Sequence, residues 1–514
     1  MRLHGIHDPM LDHPGWRQGD TAAIARNFFR LRFDIMYPQT MYNGPPPNYV
    51  ELELQIVPFI VATAYKVFGI HEIFGRIVVL AFSLGTVVTI AFFGRWLFNS
   101  TLAGIAAAFF YAIFPGSVYY GRTFTPDCAM VFFLTAALYA TSRYIAEAEG
   151  PAPYALAGST LLLTLAYLAK PVAVLAAAPL LGMMGERARA HRAFPALGAA
   201  TLLVVPILVL VVYDRRIASY AEWHWASGIT RLHVLPALQA SLTSAAALGA
   251  KLTNFRTVVA MLRVTMLGDI SFWLAIAGFV ALPWVAARTK ALLWGWLIGG
   301  LIYLYVVVTV ERVDYYLYPL LPLCALVIAG PLARFVAGLR EADIATPARL
   351  ALLATVPLIC ITALLFGRVP IAPYYGYNKD AYRNAVALDY ALPKDAVIVM
   401  GHYGPDVQYY IDRFGWEEDP IIWTSFDEES AIRKGARYFV AIEDNRLRNN
   451  MELCAWLARF PRLAYAGAWP VYETDPAKVS PKAERFWREF RNAERSGAGR
   501  AFLDANGLCR LAPS

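Results

Sequence analysis

A chain of 514 residues that is 58% hydrophobic and only 16% charged is too apolar for a soluble globular protein, in which about a quarter of residues carry charge. This composition makes it a polytopic membrane protein and excludes a soluble enzyme, a disordered chain and a disulfide-built scaffold. The net charge of +8 does not argue for nucleic acid as a partner, because cytoplasmic loops of membrane proteins collect Lys and Arg.

Gly-Pro-Pro-Pro at 44–47 precedes the first apolar stretch. The apolar stretch 54–69 carries Pro58 and Lys66, which suits a helix lying in the interface better than a crossing. Ten runs then approach the length needed for about 30 Å of hydrocarbon. They are 73–94, 101–119, 127–142, 152–169, 171–185, 193–213, 271–287, 291–310, 315–333 and 350–367. The expected fold class is an α-helical polytopic membrane protein with about 10 to 11 transmembrane helices plus interfacial helices. Met1–Ile6 reads as the outer end of a helix, so a first transmembrane helix before Met1 is also expected.

Loop charge sets the orientation. The loops at 95–100, 143–151, 186–192, 288–290 and 334–349 hold ten Lys and Arg, among them Arg192, whereas 120–126, 170 and 311–314 hold only Arg122, Lys170 and Arg312. The positive-inside rule puts the first set in the cytoplasm and the second outside, together with the long loop 214–270 and residues 368–514. The last part is different material. Lys394–Met400 and Tyr438–Ile442 read as strands, Val407–Arg413 as a helix and 481–514 as a charged amphipathic helix with a loose tail. Alternating strand and helix signals predict a small C-terminal α/β extracytoplasmic domain. Cys454 and Cys509 lie in it, either paired outside the cytosol or as two separate thiols. The expected divisions are 1–72, a first outer loop; 73–367, the transmembrane domain; and 368–514, the external domain.

The spans carry almost no charge, whereas Asp20, Glu51, Glu53, Arg76, Arg122, Asp127, Lys170, Arg312 and Asp314 collect at one expected face. Ion-coupled conduits keep ionisable groups near the midplane, so this distribution predicts chemistry at the outer membrane–water boundary. Each residue also has a plain use. Asp127 after Pro126 and Asp20 before Thr21 are both placed to cap a helix, and Lys170 and Arg122 to snorkel. No His/Cys cluster has metal-ligand spacing, so no dedicated metal site is indicated. A divalent cation bridging carboxylates and phosphate stays open.

Taken in order, these residues resemble a known family. His13-Pro14-Gly15-Trp16-Arg17-Gln18-Gly19-Asp20, continuing to Phe28, resembles the first outer loop of GT-C glycosyltransferases of the protein-mannosyltransferase type. That group includes protein O-mannosyltransferases, the lipid A aminoarabinose transferase and lipopolysaccharide-core galacturonosyltransferases. Glu53 with Tyr65–Gly69, then Gly75-Arg76, is similar to the family's interfacial helix and second span. Tyr120–Asp127, Lys170-Pro171 and Arg312–Pro319 resemble further family elements. Gly404-Pro405-Asp406, Tyr409-Tyr410 and Arg413–Trp416 resemble the external domain of one bacterial branch. One departure stands out. The acidic pair that the best-studied branches carry before the first-loop helix is Arg17-Gln18 here, with Asp20 three residues on, about one turn.

The resemblance implies a GT-C fold and inverting transfer of a sugar from a polyprenyl-phosphate donor to an acceptor hydroxyl. The acceptor class is a cell-envelope glycan, lipid A or core, or a protein, at the outer face of a bacterial inner membrane. A carboxylate must take the acceptor's proton, cations must meet the departing phosphate, and the lipid tail needs an apolar groove. Asp20 or Asp127 is expected as the base, with Glu53 orienting it or the acceptor. Lys170, Arg122, Arg17 and Arg312 are expected at the donor phosphate. The rival readings are a transporter of lipid-linked sugars and a catalytically inactive GT-C homologue, the latter suggested by Arg17-Gln18.

Overall fold

The computed structural model describes residues 1–147, 153–189, 196–341 and 345–509. Arg192 and the last residues of the expected 481–514 segment lie outside them. The chain forms two compact units, one of Met1–Ile6 with Glu51–Tyr375, the other of His7–Val50 with Gly376–Ser514.

The first unit is helical, and each of the ten apolar runs carries helix. By length and composition, six helices suffice to cross a membrane: Ile73–Phe98, Asp127–Ala146, Ala196–Ala218, Ala291–Glu311, Asp314–Glu341 and Thr346–Phe366. The pair Ala245–Leu267 and Asp269–Trp284, bent by 110°, makes a seventh if taken as one span. Ile56–Phe68, Thr101–Ile113 and Pro153–Ala169 are apolar but shorter. The 13 residues of Ile56–Phe68 extend about 20 Å at 1.5 Å per residue.

Prolines account for two of the breaks. A residue before proline is pushed from helical to extended backbone. Phe114 (ψ 129°) therefore ends Thr101–Ile113, and Pro115 starts a new helix to Tyr120. Lys170 (φ −166°, ψ 125°) likewise separates Pro153–Ala169 from the turn Pro171–Ala176. The expected outer loop 214–270 is largely helical, including Leu235–Thr243 and Ala245–Met261. Lys251, Arg256 and Arg263 interrupt its apolar pattern and hide it from a hydropathy reading.

Between Ile73–Phe98 and Thr101–Ile113 the chain turns through Asn99 in the left-handed conformation (φ 49°), and the Ser100 side chain caps the second helix on Ala103 N. The two helices then touch through small residues. A Cβ on Gly104 would lie 2.4 Å from the Ala91 carbonyl oxygen, so only glycine permits this approach. Leu84, Val88 and Phe92, spaced four apart on the first helix, are exposed, as contact with lipid requires.

The second unit holds a five-stranded sheet in the order Gly415–Glu417, Val397–Met400, Ala436–Val440, Val471–Glu473, Arg462–Leu463. The first three strands are parallel and the last two pair antiparallel. Val399, Phe439, Leu453, Trp456 and Leu457 form its core. A disulfide joins Cys454 to Cys509, the paired alternative of the two left open by the sequence. The segment 481–509 is two helices, Pro481–Arg495 and Gly499–Ala505.

Helix Gly15–Arg30 belongs to this unit and is buried from Arg17 through Phe28. It lies on helix Pro405–Ile411 so closely that a Cβ on Gly19 would sit 2.3 Å from Asp406 Cα. Arg26 stacks 4.1 Å over the Tyr409 ring and pairs with Asp412 at 3.1 Å, while Arg30 pairs with Asp412 at 2.8 Å. Fully buried Arg413 is bound to Asp389 at 2.7 Å and to the Pro393 and Leu392 carbonyls, each at 2.6 Å. Asp406 and Tyr409, two of the C-terminal residues that resemble the family, thus pack on the first-loop helix.

Candidate active site

In the first unit two sequence-distant residues meet. Asp127 opens helix Asp127–Glu147 directly after Pro126, where the helix dipole favours a carboxylate. Lys170, freed from the preceding helix by Pro171, donates from Nζ to Asp127 Oδ1 at 2.5 Å. Asp127 is buried at 1% exposure, and Lys170 is half-buried, its side chain 13% exposed. Asp127 Oδ2 is buried with no hydrogen-bond partner among the described residues. The Lys170 ammonium lies 4.4 Å from the centre of the Tyr316 ring and 5.0 Å from that of Tyr315, a cation–π arrangement that holds it in place.

Asp314 ties the surrounding aromatic residues together. It accepts from the Tyr120 hydroxyl at 2.6 Å and the Tyr374 hydroxyl at 2.5 Å, and from Tyr315 N at 2.8 Å. Tyr119 in turn donates to the Tyr374 carbonyl at 2.7 Å. Three segments far apart in sequence are therefore joined beside the Lys170–Asp127 pair. The sequence placed Asp314 among the boundary charges without a role, since one chain does not show which tyrosines reach it.

The other expected residues of this unit have separate settings. Arg312 sits in the left-handed conformation (φ 48°), is exposed, and has no side-chain partner among the described residues. Arg122 is buried, donates to the Gly5 carbonyl at 3.0 Å, and stacks over Tyr375 and Tyr119 at 4.6 and 5.1 Å. Glu53 is buried beside Leu52, whose carbonyl accepts from the Tyr213 hydroxyl at 3.1 Å. Glu51 is held by Ser227, from its hydroxyl at 2.6 Å and its N–H at 3.3 Å.

In the second unit, Arg17 and Asp20 are one turn apart on helix Gly15–Arg30 and pair at 3.1 Å. The capping expectation for Asp20 is corrected here. The helix begins at Gly15, so Asp20 sits in its second turn, buried at 1% exposure. Tyr42 donates to the other Asp20 oxygen at 3.2 Å. Burial, and next the Asp20 charge, push the Tyr42 hydroxyl far above its ordinary pKa, so it stays a donor. Arg17, expected at the donor phosphate, is engaged with Asp20. Among the described residues no three His, Cys, Asp or Glu side chains converge to hold a metal ion.

Comparison with known proteins agrees with this architecture. The family model for dolichyl-phosphate-mannose-protein mannosyltransferases matches residues 55–213. No curated protein sequence matches the chain. Among solved structures, the fold is similar to ArnT from Cupriavidus metallidurans bound to undecaprenyl phosphate, with a TM-score of 0.58 at 12% identity over 93% of this chain and 97% of that one. The apo state of the same protein gives 0.57 at 12% identity, with the same coverage of both chains. The oligosaccharyltransferase of Archaeoglobus fulgidus, in complex with zinc and sulfate, gives 0.50 at 14% identity over 93% of this chain and 73% of that one. The chain thus shares the GT-C fold of these structures over nearly its whole length, and residues 55–213 resemble the mannosyltransferase family.

Proposed function

We propose that this protein transfers a sugar from a polyprenyl-phosphate donor to an acceptor hydroxyl, with inversion, at the outer face of a bacterial inner membrane. The observation that carries this reading is the Asp127–Lys170 pair, in which one carboxylate oxygen is fixed by the ammonium and the other is buried and bare. A general base needs a free lone pair and a fixed direction, and Asp127 has both. The acceptor hydroxyl loses its proton to Asp127 Oδ2 as its oxygen bonds the anomeric carbon. The carbon–oxygen bond to the phosphate breaks and its electron pair leaves with the polyprenyl phosphate. Lys170 has two further N–H donors for that phosphate, and exposed Arg312 offers a planar guanidinium for it. Asp20, oriented by Arg17 and Tyr42, is the second carboxylate of the reading. Glu53 orients the acceptor or the base.

Undecaprenyl phosphate, bound by the ArnT structure of the same fold, is the model for the donor lipid. The disulfide Cys454–Cys509 suits an oxidising compartment outside the cytosol. The acceptor class is a cell-envelope glycan, lipid A or core, or a protein. A transporter would need polar groups along a transbilayer path, and the spans are nearly free of charge.

The test is polyprenyl-phosphate release by the purified full chain, given a panel of polyprenyl-phosphate sugars and crude envelope acceptor. Asp127→Asn is expected to lower release by about 10²–10⁴-fold. Release untouched by that change removes Asp127 as base; no release with any donor, from folded protein, favours an inactive homologue or a transporter.

A further inference from the structure

The strand Gly415–Glu417 is joined to the segment that precedes the proline run. Gly44 N donates to the Gly415 carbonyl at 2.8 Å, and Gly415 N to the Met41 carbonyl at 3.1 Å. The chain carrying Tyr42 therefore runs along the chain carrying Glu417, and the Tyr42 hydroxyl is already committed to Asp20. Glu417 is 8% exposed, and its Oε2 is buried without a hydrogen-bond partner among the described residues.

The groups that face this carboxyl come from every neighbouring element. Asp20 lies on the first-loop helix, Tyr42 on the 41–44 segment, Tyr403 just before helix Pro405–Ile411, Asp406 in its first turn, and Glu418 directly after the strand, while the Gly404 N–H donates to the carboxyl. Of these none is a cation, and Arg17 is paired with Asp20. Asp20, Asp406 and Glu417 share one buried setting, and carboxylates so placed do not all ionise; burial raises Asp406 as well. Asp20 has the ion pair and the phenol donor, so it is the one that carries the charge. Burial, and next the Asp20 charge, hold the Glu417 carboxyl well above the ordinary carboxylate range.

We propose that Glu417 is a further positioning residue of the candidate site, a neutral carboxyl that leaves Asp20 as the single negative charge of the Arg17–Asp20–Tyr42 cluster. The proposal rests on the reading of Asp20 as a carboxylate the transfer needs. Loss of the Glu417 proton puts a second negative charge beside Asp20, displaces it from its set orientation, and gives the reaction an alkaline limit.

The experiment compares the full-length wild type, Glu417→Gln and Asp20→Asn between pH 5 and 9.5, by thermal unfolding and by polyprenyl-phosphate release. The folded wild type holds a proton that the unfolded chain gives up, so stability must fall as pH rises through the raised carboxyl range. Glu417→Gln is expected to lack that part of the fall. Asp20→Asn is expected to show a smaller fall, complete at lower pH, because the charge that raises Glu417 is gone. The release ratio of Glu417→Gln to wild type is expected to climb about tenfold per pH unit above the wild-type limit. Pairing is overturned if Glu417→Gln follows the wild-type stability profile, or if the release ratio is flat with pH. Should Glu417→Gln not fold, an unchanged profile in Asp20→Asn overturns it instead. Full release by Asp20→Asn contradicts the Asp20 reading alone, because the stability profiles judge the pairing separately.

Discussion

At the Lys170–Asp127 contact half-buried Lys170 neutralises buried Asp127, so taking away the lysine leaves an uncompensated buried carboxylate, at a cost of up to about 3–5 kcal/mol. Lys170→Met is therefore expected to lower both the unfolding temperature and donor release. Adding Asp127→Asn to Lys170→Met should restore much of the stability and none of the release. A double variant as unstable as the single one would mean that the pair does not exist as described. Glu428 offers a test of burial alone. It is fully buried, Trp423 donates to its Oε2 at 2.8 Å, and its Oε1 has no partner among the described residues. Burial lifts its carboxyl to about 8. A carboxyl raised on folding stabilises below its ordinary pKa and loses that contribution as pH rises toward the folded value. Glu428→Gln should match wild type at pH 5 and exceed it at pH 9, by at most about 5 kcal/mol, in unfolding followed by tryptophan fluorescence. Equal pH dependence in the two proteins would show Glu428 to be charged in the fold.

Among the elements, two helical glycines predict opposite outcomes for the same substitution. Gly19→Ala pushes a methyl group into the Asp406 backbone and is expected to cost about 1–3 kcal/mol. Gly249 has nothing within 4 Å of an added Cβ, and Gly249→Ala should stabilise its helix by about 0.5–1 kcal/mol. Thermal unfolding of both variants checks the pair, and a harmless Gly19→Ala would contradict the packing of the first-loop helix. Elements of this kind differed in how readable they were. The long apolar runs were legible because a helix in lipid must be apolar on nearly every face. The strands at 397–400 and 436–440 were legible from their β-branched and aromatic residues. The helices at 235–261 were not, since Lys251, Arg256 and Arg263 spoil the pattern that hydropathy detects. Nor was the place of helix Gly15–Arg30 in the C-terminal unit, which depends on contacts such as Arg26 with Asp412 across nearly four hundred residues.

For the molecule as a whole, the order of charged motifs pointed to the GT-C fold, and the likeness to ArnT over 93% of the chain agrees with that fold. The individual partners needed coordinates. Nothing in one sequence pairs Lys170 with Asp127 rather than with a lipid headgroup, or shows that Arg17 reaches Asp20. The disulfide within the second unit bears on orientation. A phosphatase reporter active only outside the cytosol, fused after Ser514, is expected to be active, and an inactive fusion with intact protein would reverse the proposed sidedness. The central claim is that Asp127, held by Lys170, removes the acceptor's proton while polyprenyl phosphate departs. Single-turnover release of polyprenyl phosphate by wild type and Asp127→Asn, with the matching donor and acceptor, tests it most directly. The account predicts that the variant still binds the donor but releases the lipid phosphate at least about a hundredfold more slowly; release at the wild-type rate would contradict it.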